Sequence, residues 1–172
     1  HMPTWQLISI YESLMEMGEE FGLKDFGGLA FNSMRLEKMY RAYGAEFTEE
    51  ISALEAGMER FLDLDRNFIG ADNIRERLSM GVKTKLAFLI FDDQIPAECF
   101  GNEAVFDGDN LSGIITSGAY GYRVGHSIAF AYLKPNLCIE GSKLRVETSL
   151  GSRNCHVSID PAYDKTNEKL RS

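Results

Sequence analysis

Basic residues are in deficit. The 172-residue chain carries 18 Lys and Arg against 26 Asp and Glu, a formal charge of −8. A protein that grips nucleic acid irrespective of sequence needs a basic face, so that class is excluded. Long apolar runs are missing too. None approaches the roughly 20 residues that cross a bilayer, and the first residues do not read as a leader peptide. No membrane partner is expected, and the expected location is cytoplasmic. Cysteine is scarce: three residues, at 99, 138 and 155, with no Cys-x-x-Cys pair. Free thiols in a reducing compartment are the simplest account, with Cys138 and Cys155 as small buried hydrophobes in strand-like runs. Histidine is as scarce. His126 and His156 have no neighbours at ligand spacing, so neither a metal site nor a Cys/His nucleophile pair is expected. No Gly-Lys-Ser or Gly-Lys-Thr occurs, which excludes a P-loop. No internal repeat or low-complexity segment is present.

What is there divides by period. The opening His1-Met2 reads as a cloning scar, which makes Pro3 the expected first native residue and the chain an expected part of something larger. Thr4 is placed to cap a helix on which Leu7, Ile10, Leu14 and Met17 form one apolar stripe, with Gly18 as its stop. A second helix is expected from Leu29 to about Arg41, with Glu37 and Arg41 paired at i,i+4 and Gly44 ending it. Residues 48–64 fit helix or strand equally. Gly70 to Gly81 brackets a short helix with Ala71, Ile74 and Leu78 on its core side.

After Gly81 the period changes from 3.6 to 2. Strands are expected at Lys85–Phe91, Ala104–Phe106, Gly113–Thr116, Ser127–Leu133, Leu144–Thr148 and Arg153–Ile159. Ser127–Leu133 is apolar on both faces and so is expected to be buried on both. Gly118, Gly121 and Gly125 are expected to form the turn before it. Tyr120, Tyr122, Arg123 and His126 lie among these glycines, either as a ligand edge or, more simply, as surface residues of a barrel turn. From Asp160 the tail reads as polar and loose. The fold class is α+β: a helical N-terminal segment followed by a small antiparallel Greek-key β-barrel.

Three further features bear on chemistry. Asp92-Asp93 at a strand end could act as acid and base, but a solvated turn is the simpler account. Asp107-Gly-Asp-Asn110 lacks the remaining ligands of a calcium loop and reads as a turn. Arg35, among Phe31, Met34 and Tyr40, is either a snorkelling surface residue or a donor aimed at an anionic or heteroaromatic ligand.

Ser33-Met-Arg-Leu-Glu-Lys-Met-Tyr-Arg-Ala-Tyr-Gly44 resembles a segment of the dimethylglycine and sarcosine dehydrogenase family. That family shares its tetrahydrofolate-binding half with the glycine cleavage T-protein, an aminomethyltransferase. Leu54-Glu-Ala-Gly-Met58, Asn67-Phe-Ile-Gly70, Ile115-Thr-Ser-Gly-Ala-Tyr-Gly-Tyr-Arg-Val-Gly125 and Ser127-Ile-Ala-Phe-Ala-Tyr132 resemble further family motifs in the same order. So do Gly151-Ser-Arg153 and Pro161-Ala-Tyr-Asp164. The resemblance implies a folate domain whose lobes surround a pterin pocket. Residues 3–80 would be the last part of its aminomethyltransferase body and residues 81–164 its C-terminal barrel. It implies a one-carbon transfer that forms 5,10-methylenetetrahydrofolate, with a methylated amine as the other small-molecule partner. Arg35 matches the family's folate-contacting Arg, Tyr11 falls where a folate-contacting Tyr stands, and Tyr120 and Arg123 match a barrel loop on the cofactor side. The family's catalytic Asp and its pterin-binding Glu belong before Pro3, as does the FAD domain of the dehydrogenase members. The fragment alone is therefore expected to be inactive, with self-association through the face bared at Leu7, Ile10 and Leu14. The other reading is a non-catalytic folate-binding or assembly module that docks on a separate catalytic chain.

Overall fold

The computed structural model describes residues 1–96 and 99–172. It divides into two compact units, His1–Phe31 and Asn32–Ser172. No helix among the described residues is long and apolar enough to cross a membrane.

In the first unit a 3-10 turn, Thr4–Gln6, runs into helix α1, Leu7–Gly18. Thr4 is not at a cap position: Pro3 precedes the 3-10 turn and Gln6 precedes α1, and neither makes a side-chain capping bond. The α-helix ends at Gly18, as expected, but Gly18 itself is helical at φ −82°, and a 3-10 turn, Glu19–Phe21, carries the chain on. The 3-10 extension is closed by Gly22, four residues later, at φ 70°. There the N–H of Gly22 donates to Glu19 O and that of Leu23 to Gly18 O, both at 3.0 Å. These are the paired bonds of a left-handed helix terminus. No residue of α1 is buried.

Helix α2, Gly28–Glu37, crosses the boundary between the units. It ends earlier than its periodicity predicts. Met39 takes φ 55°, and the N–H groups of Met39 and Tyr40 donate to Leu36 O and Arg35 O at 2.8 Å. A non-glycine residue in this conformation costs roughly 1–2 kcal/mol; Met39 offsets this by packing on the apolar cluster outside the barrel. The early stop also prevents the expected Glu37–Arg41 pair. Arg41 donates instead to the carbonyls of Met39 and Ala56.

Residues 48–64 form neither a helix nor a strand. They run as turns, with one 3-10 turn at Glu59–Phe61, and bury Leu54 and Ala56. Helix α3, Ala71–Met80, lies between Gly70 and Gly81, both at positive φ. Ala71 is buried as expected, whereas Leu78 is exposed.

The barrel has six strands: β1 (Lys85–Phe91), β2 (Ala104–Asp107), β3 (Asn110–Gly121), β4 (His126–Leu133), β5 (Lys143–Thr148) and β6 (Gly151–Ser158). They close in the order β1-β4-β3-β2-β5-β6, every pair antiparallel. Three strands joined by hairpins, β2, β3 and β4, with β1 returned beside β4, make a Greek key. Odd-numbered residues of β1 and β4 point inward: Leu89, Phe91, Ala129, Ala131 and Leu133 join the barrel core with Val105, Ile115, Val146 and Val157. Even-numbered ones point outward, and Phe88, Ile128 and Phe130 pack on Leu36 at the end of α2. That cover explains why β4 is apolar on both faces.

Two glycine assignments change. Gly118 and Gly121 are not in the turn but inside β3. They are there for clearance. A Cβ on Gly118 would stand 2.7 Å from Cys99 Cβ, and one on Gly121 2.6 Å from Val124 Cγ2. Only Gly125, at φ 77°, serves the turn. Cys155 is buried in β6, but Cys138 follows a 3-10 turn, Pro135–Leu137, outside any strand. The tail is not loose. Ala162 packs on the outer cluster, Tyr163 N–H donates to Glu37 O at 3.0 Å, and a short helix α4, Glu168–Arg171, closes the chain.

Candidate functional site

Arg35 is not a surface residue. It is 8% exposed, because α2 presents it to the barrel wall one residue before Leu36. Its Nε donates to Asn32 Oδ1 at 2.9 Å, and Nη1 to Tyr40 O at 3.0 Å and Glu46 Oε2 at 2.8 Å. Nη2 donates to Ser117 Oγ at 3.0 Å. Four of the five guanidinium donors are thus held by the protein.

The hub of this network is Glu46, which is fully buried. Oε2 also accepts the Ala42 N–H at 2.8 Å, and Oε1 accepts the hydroxyls of Thr116, at 3.1 Å, and Ser117. The Tyr132 hydroxyl donates to the Glu46 carbonyl. Burial pushes the Tyr132 phenol well above its ordinary value, which keeps it protonated and donating. The bulge in β3 between Ile115 and Ser117 lets Thr116 and Ser117 both reach Glu46. The sequence reading missed Glu46 entirely. It lies in a short non-periodic link, and its partners in β3 are 70 and 71 residues away.

A second junction ties α2 to the β3–β4 turn and the tail. Glu37, also buried, accepts the Arg123 N–H at 2.7 Å. Ser33 Oγ donates to Tyr120 O at 2.7 Å, and Asn32 Nδ2 to Gly118 O at 3.1 Å. Lys38 Nζ reaches Asp164 Oδ2 at 3.0 Å and Asn167 Oδ1 at 2.6 Å. Tyr120 and Tyr122 meet edge to face at 5.2 Å. The Arg123 guanidinium lies 5.4 Å from the centre of the Tyr163 ring, and Lys169 Nζ 5.2 Å. Hydrogen bonding from Arg123, helped by Lys169, draws the Tyr163 phenol below its ordinary value.

Arg35, Tyr120 and Arg123 therefore converge on one side of the barrel, where α2 covers β3 and β4. Tyr11 belongs to the first unit, where its hydroxyl donates to Asp25 Oδ2 at 2.5 Å. His126 Nδ1 is 3.0 Å from Phe91 O, away from any ligand cluster. Asp93 holds Arg153 through Nε at 3.0 Å and through Nη2. Asp92 meets His156 Nδ1 at 2.7 Å. Asp93 is thus held in an ion pair and Asp92 in a hydrogen bond. The Asp107–Asn110 stretch is the β2–β3 hairpin turn. Among the described residues no group of three or more His, Cys, Asp or Glu is arranged to hold a metal ion.

Comparison with known proteins agrees with this architecture. Residues 1–66 match the family model of the GCVT N-terminal domain, and residues 85–164 that of the glycine cleavage T-protein C-terminal barrel domain. Mitochondrial dimethylglycine dehydrogenase of Mus musculus is 37% identical over 142 residues, 81% of this chain and 16% of that protein. An aminomethyltransferase of Corynebacterium aurimucosum is 33% identical over 158 residues, 91% of this chain and 42% of that protein. The crystal structure of the glycine cleavage system aminomethyltransferase T from Bartonella henselae superposes with a TM-score of 0.71 at 22% identity. It matches 79% of this chain and 38% of that one, a likeness of fold. The chain thus spans less than half the length of these relatives. With both domain models matched in order and the barrel closed as the second requires, the chain belongs to the glycine cleavage T-protein family.

Proposed function

We propose that this chain is part of a tetrahydrofolate-dependent enzyme that moves a one-carbon unit from a methylated or aminomethylated amine, forming 5,10-methylenetetrahydrofolate. One observation carries the reading. The two longest motifs of the family resemblance, residues 33–44 and 115–125, are joined by the buried Arg35–Glu46–Ser117 network. Chain segments far apart in sequence are being held as one wall, and rigid placement is what transfer between two bound molecules needs. Residues 3–80 act as the last part of the folate-binding body and residues 81–164 as its barrel.

The side chains suit a folate in chemical type. Tyr120 and Tyr122 offer aromatic faces to a pterin. Arg123 offers a cation to a glutamate tail; for Tyr11, whose hydroxyl is held by Asp25 within the first unit, the family resemblance alone supports a folate contact. Arg35 keeps one N–H for a ligand while its other four fix the wall that bears Tyr120. Bound tetrahydrofolate would accept the one-carbon unit. This chain's own residues bind and orient, and the proton-handling carboxylate comes from a segment that these 172 residues do not include. A dehydrogenase parent would add FAD in a further domain. The three free thiols fit a reducing compartment such as the cytoplasm, while the dimethylglycine dehydrogenase relatives are named as mitochondrial.

The test is a chimera. These residues replace the aligned 158-residue segment of the Corynebacterium aminomethyltransferase. Retained tetrahydrofolate-dependent transfer is expected, with Arg35→Ala and Arg123→Ala each raising KM for the folate. A chimera that folds but transfers nothing overturns the reading. A second reading, a non-catalytic module that docks on a separate catalytic chain, is favoured by the complete lack of buried residues in α1. It predicts no turnover of dimethylglycine or an aminomethyl donor until such a chain is added.

A further inference from the structure

Three things count against a carboxylate at position 37. Glu37 is 5% exposed. It is the last residue of α2, where the helix dipole disfavours negative charge. Among the described residues it forms no ion pair, and a buried charge without a partner is destabilising. What meets it is a pair of successive backbone N–H groups. Oε1 accepts that of Arg123 at 2.7 Å and that of Val124 at 3.3 Å. Successive N–H groups turned to one point make an anion-binding concavity, and here the anion comes from the chain itself.

Those two groups belong to the turn at residues 122–125, between β3 and β4. Gly125 N–H closes the same turn on Gly121 O at 2.7 Å. Gly121 also leaves room for the carboxylate: a Cβ there would stand 3.0 Å from Glu37 Oε1 and 3.2 Å from its Cγ. The main chain of Glu37 reaches Arg123 by a second route. Its carbonyl accepts the Tyr163 N–H at 3.0 Å, and the Arg123 guanidinium lies 5.4 Å from the centre of the Tyr163 ring. Lys38, the next residue, ties that tail down through Asp164 and Asn167. One residue thus fixes Arg123 at both ends, its backbone through the carboxylate and its guanidinium through Tyr163. An apolar side chain of the same size would fill the space without burying a charge. What the carboxylate adds is two hydrogen bonds of fixed direction.

We propose that Glu37 is the positioning residue for Arg123, holding the β3–β4 turn so that the guanidinium meets a ligand's carboxylate, a role that rests on the folate reading of Arg123. Glu37 acts through Arg123 and touches no ligand itself.

Two measurements test it, and the first is blind to folate. Amide hydrogen exchange in the 172-residue protein reads the turn directly. Glu37→Met keeps the bulk and loses the acceptor. The Arg123 and Val124 amides are then expected to exchange about tenfold faster or more, with strand amides elsewhere in the barrel unchanged. Glu37→Gln keeps a carbonyl oxygen and is expected to retain most of the protection. The second measurement is tetrahydrofolate kinetics in the chimera with the Corynebacterium aminomethyltransferase. Glu37→Met is expected to raise KM for tetrahydrofolate several-fold with kcat unchanged, and Glu37→Gln to stay close to the parent. Added to Arg123→Ala, Glu37→Met is expected to do nothing further. Unchanged exchange at Arg123 and Val124 in Glu37→Met overturns the proposal whatever the kinetics. Acceleration shared by every barrel amide is a lost fold rather than a freed turn, and overturns it too. So does a rise in KM that Glu37→Met adds on top of Arg123→Ala, because such a rise does not pass through Arg123. If Arg123→Ala raises KM and Glu37→Met does not, the positioning role falls and the folate reading stands. If Arg123→Ala leaves KM unchanged, the folate reading of Arg123 falls, and the positioning role with it.

Discussion

At the scale of single residues, Glu46 decides most. Its carboxylate is out of water and faces a guanidinium, two hydroxyls and a backbone N–H. Removing one partner of a buried, hydrogen-bonded ion pair strands the other, at a cost of about 3–5 kcal/mol. Urea unfolding of Glu46→Ala and of Arg35→Ala should each show a loss of that size. Arg35→Met with Glu46→Leu should lose much less than the sum, because neither charge is then left alone. The Asp93–Arg153 pair gives a pH signature. The hydrogen bond from Arg153 holds the Asp93 carboxyl below its usual range. A depressed carboxylate contributes stability that is fully present above its unfolded value, near pH 4, and is lost as pH falls through the folded value. Melting temperature should therefore fall on acidification below about pH 4, and Asp93→Asn should flatten that limb while lowering stability at neutral pH. Arg153 also leaves Nη1 unbonded among the described residues, so it depends on Asp93 all the more.

At the scale of elements, the glycines of β3 show why composition underdetermines structure. Gly118 and Gly121 have ordinary strand conformations; what they lack is room. The Cβ of Gly118→Ala would press on Cys99 and also stand 3.0 Å from the Cys99 carbonyl oxygen. A backbone atom cannot step aside cheaply, so the change should cost about 1–3 kcal/mol. Gly27→Ala, with open space around it and no unusual φ, should be close to neutral, and parallel chemical denaturation of the two variants compares them. The helices teach the converse point. The turns that follow α1 and α2 both use left-handed residues, but one is Gly22 and the other Met39. A glycine is readable as a stop. Met39 is not, because its conformation is carried by packing on the barrel's outer face.

At the scale of the whole molecule, barrel closure can be read chemically. Burial pushes the Cys99 and Cys155 thiols up to about 12, and Cys138, half-buried outside the barrel, is raised less far. Treatment of the native protein with a thiol-reactive disulfide at pH 8 should modify Cys138 first and leave Cys99 and Cys155 protected until global unfolding. Rapid modification of all three would mean that the barrel opens. The period-2 alternation by itself determined that six strands follow Gly81 and roughly where, although β3 runs Asn110–Gly121, well beyond the expected Gly113–Thr116. The double apolar face of Ser127–Leu133 likewise determined that something covers the barrel outside. Those are local properties, set by side chains two residues apart, and the ordered motifs added the family. Only the tertiary structure decided which element gives that cover, that Arg35 is buried rather than snorkelling, and that Glu46 joins it to Ser117. The reason is physical: a buried charge is tolerable only where partners from distant segments meet it, and no local pattern in the chain records that meeting.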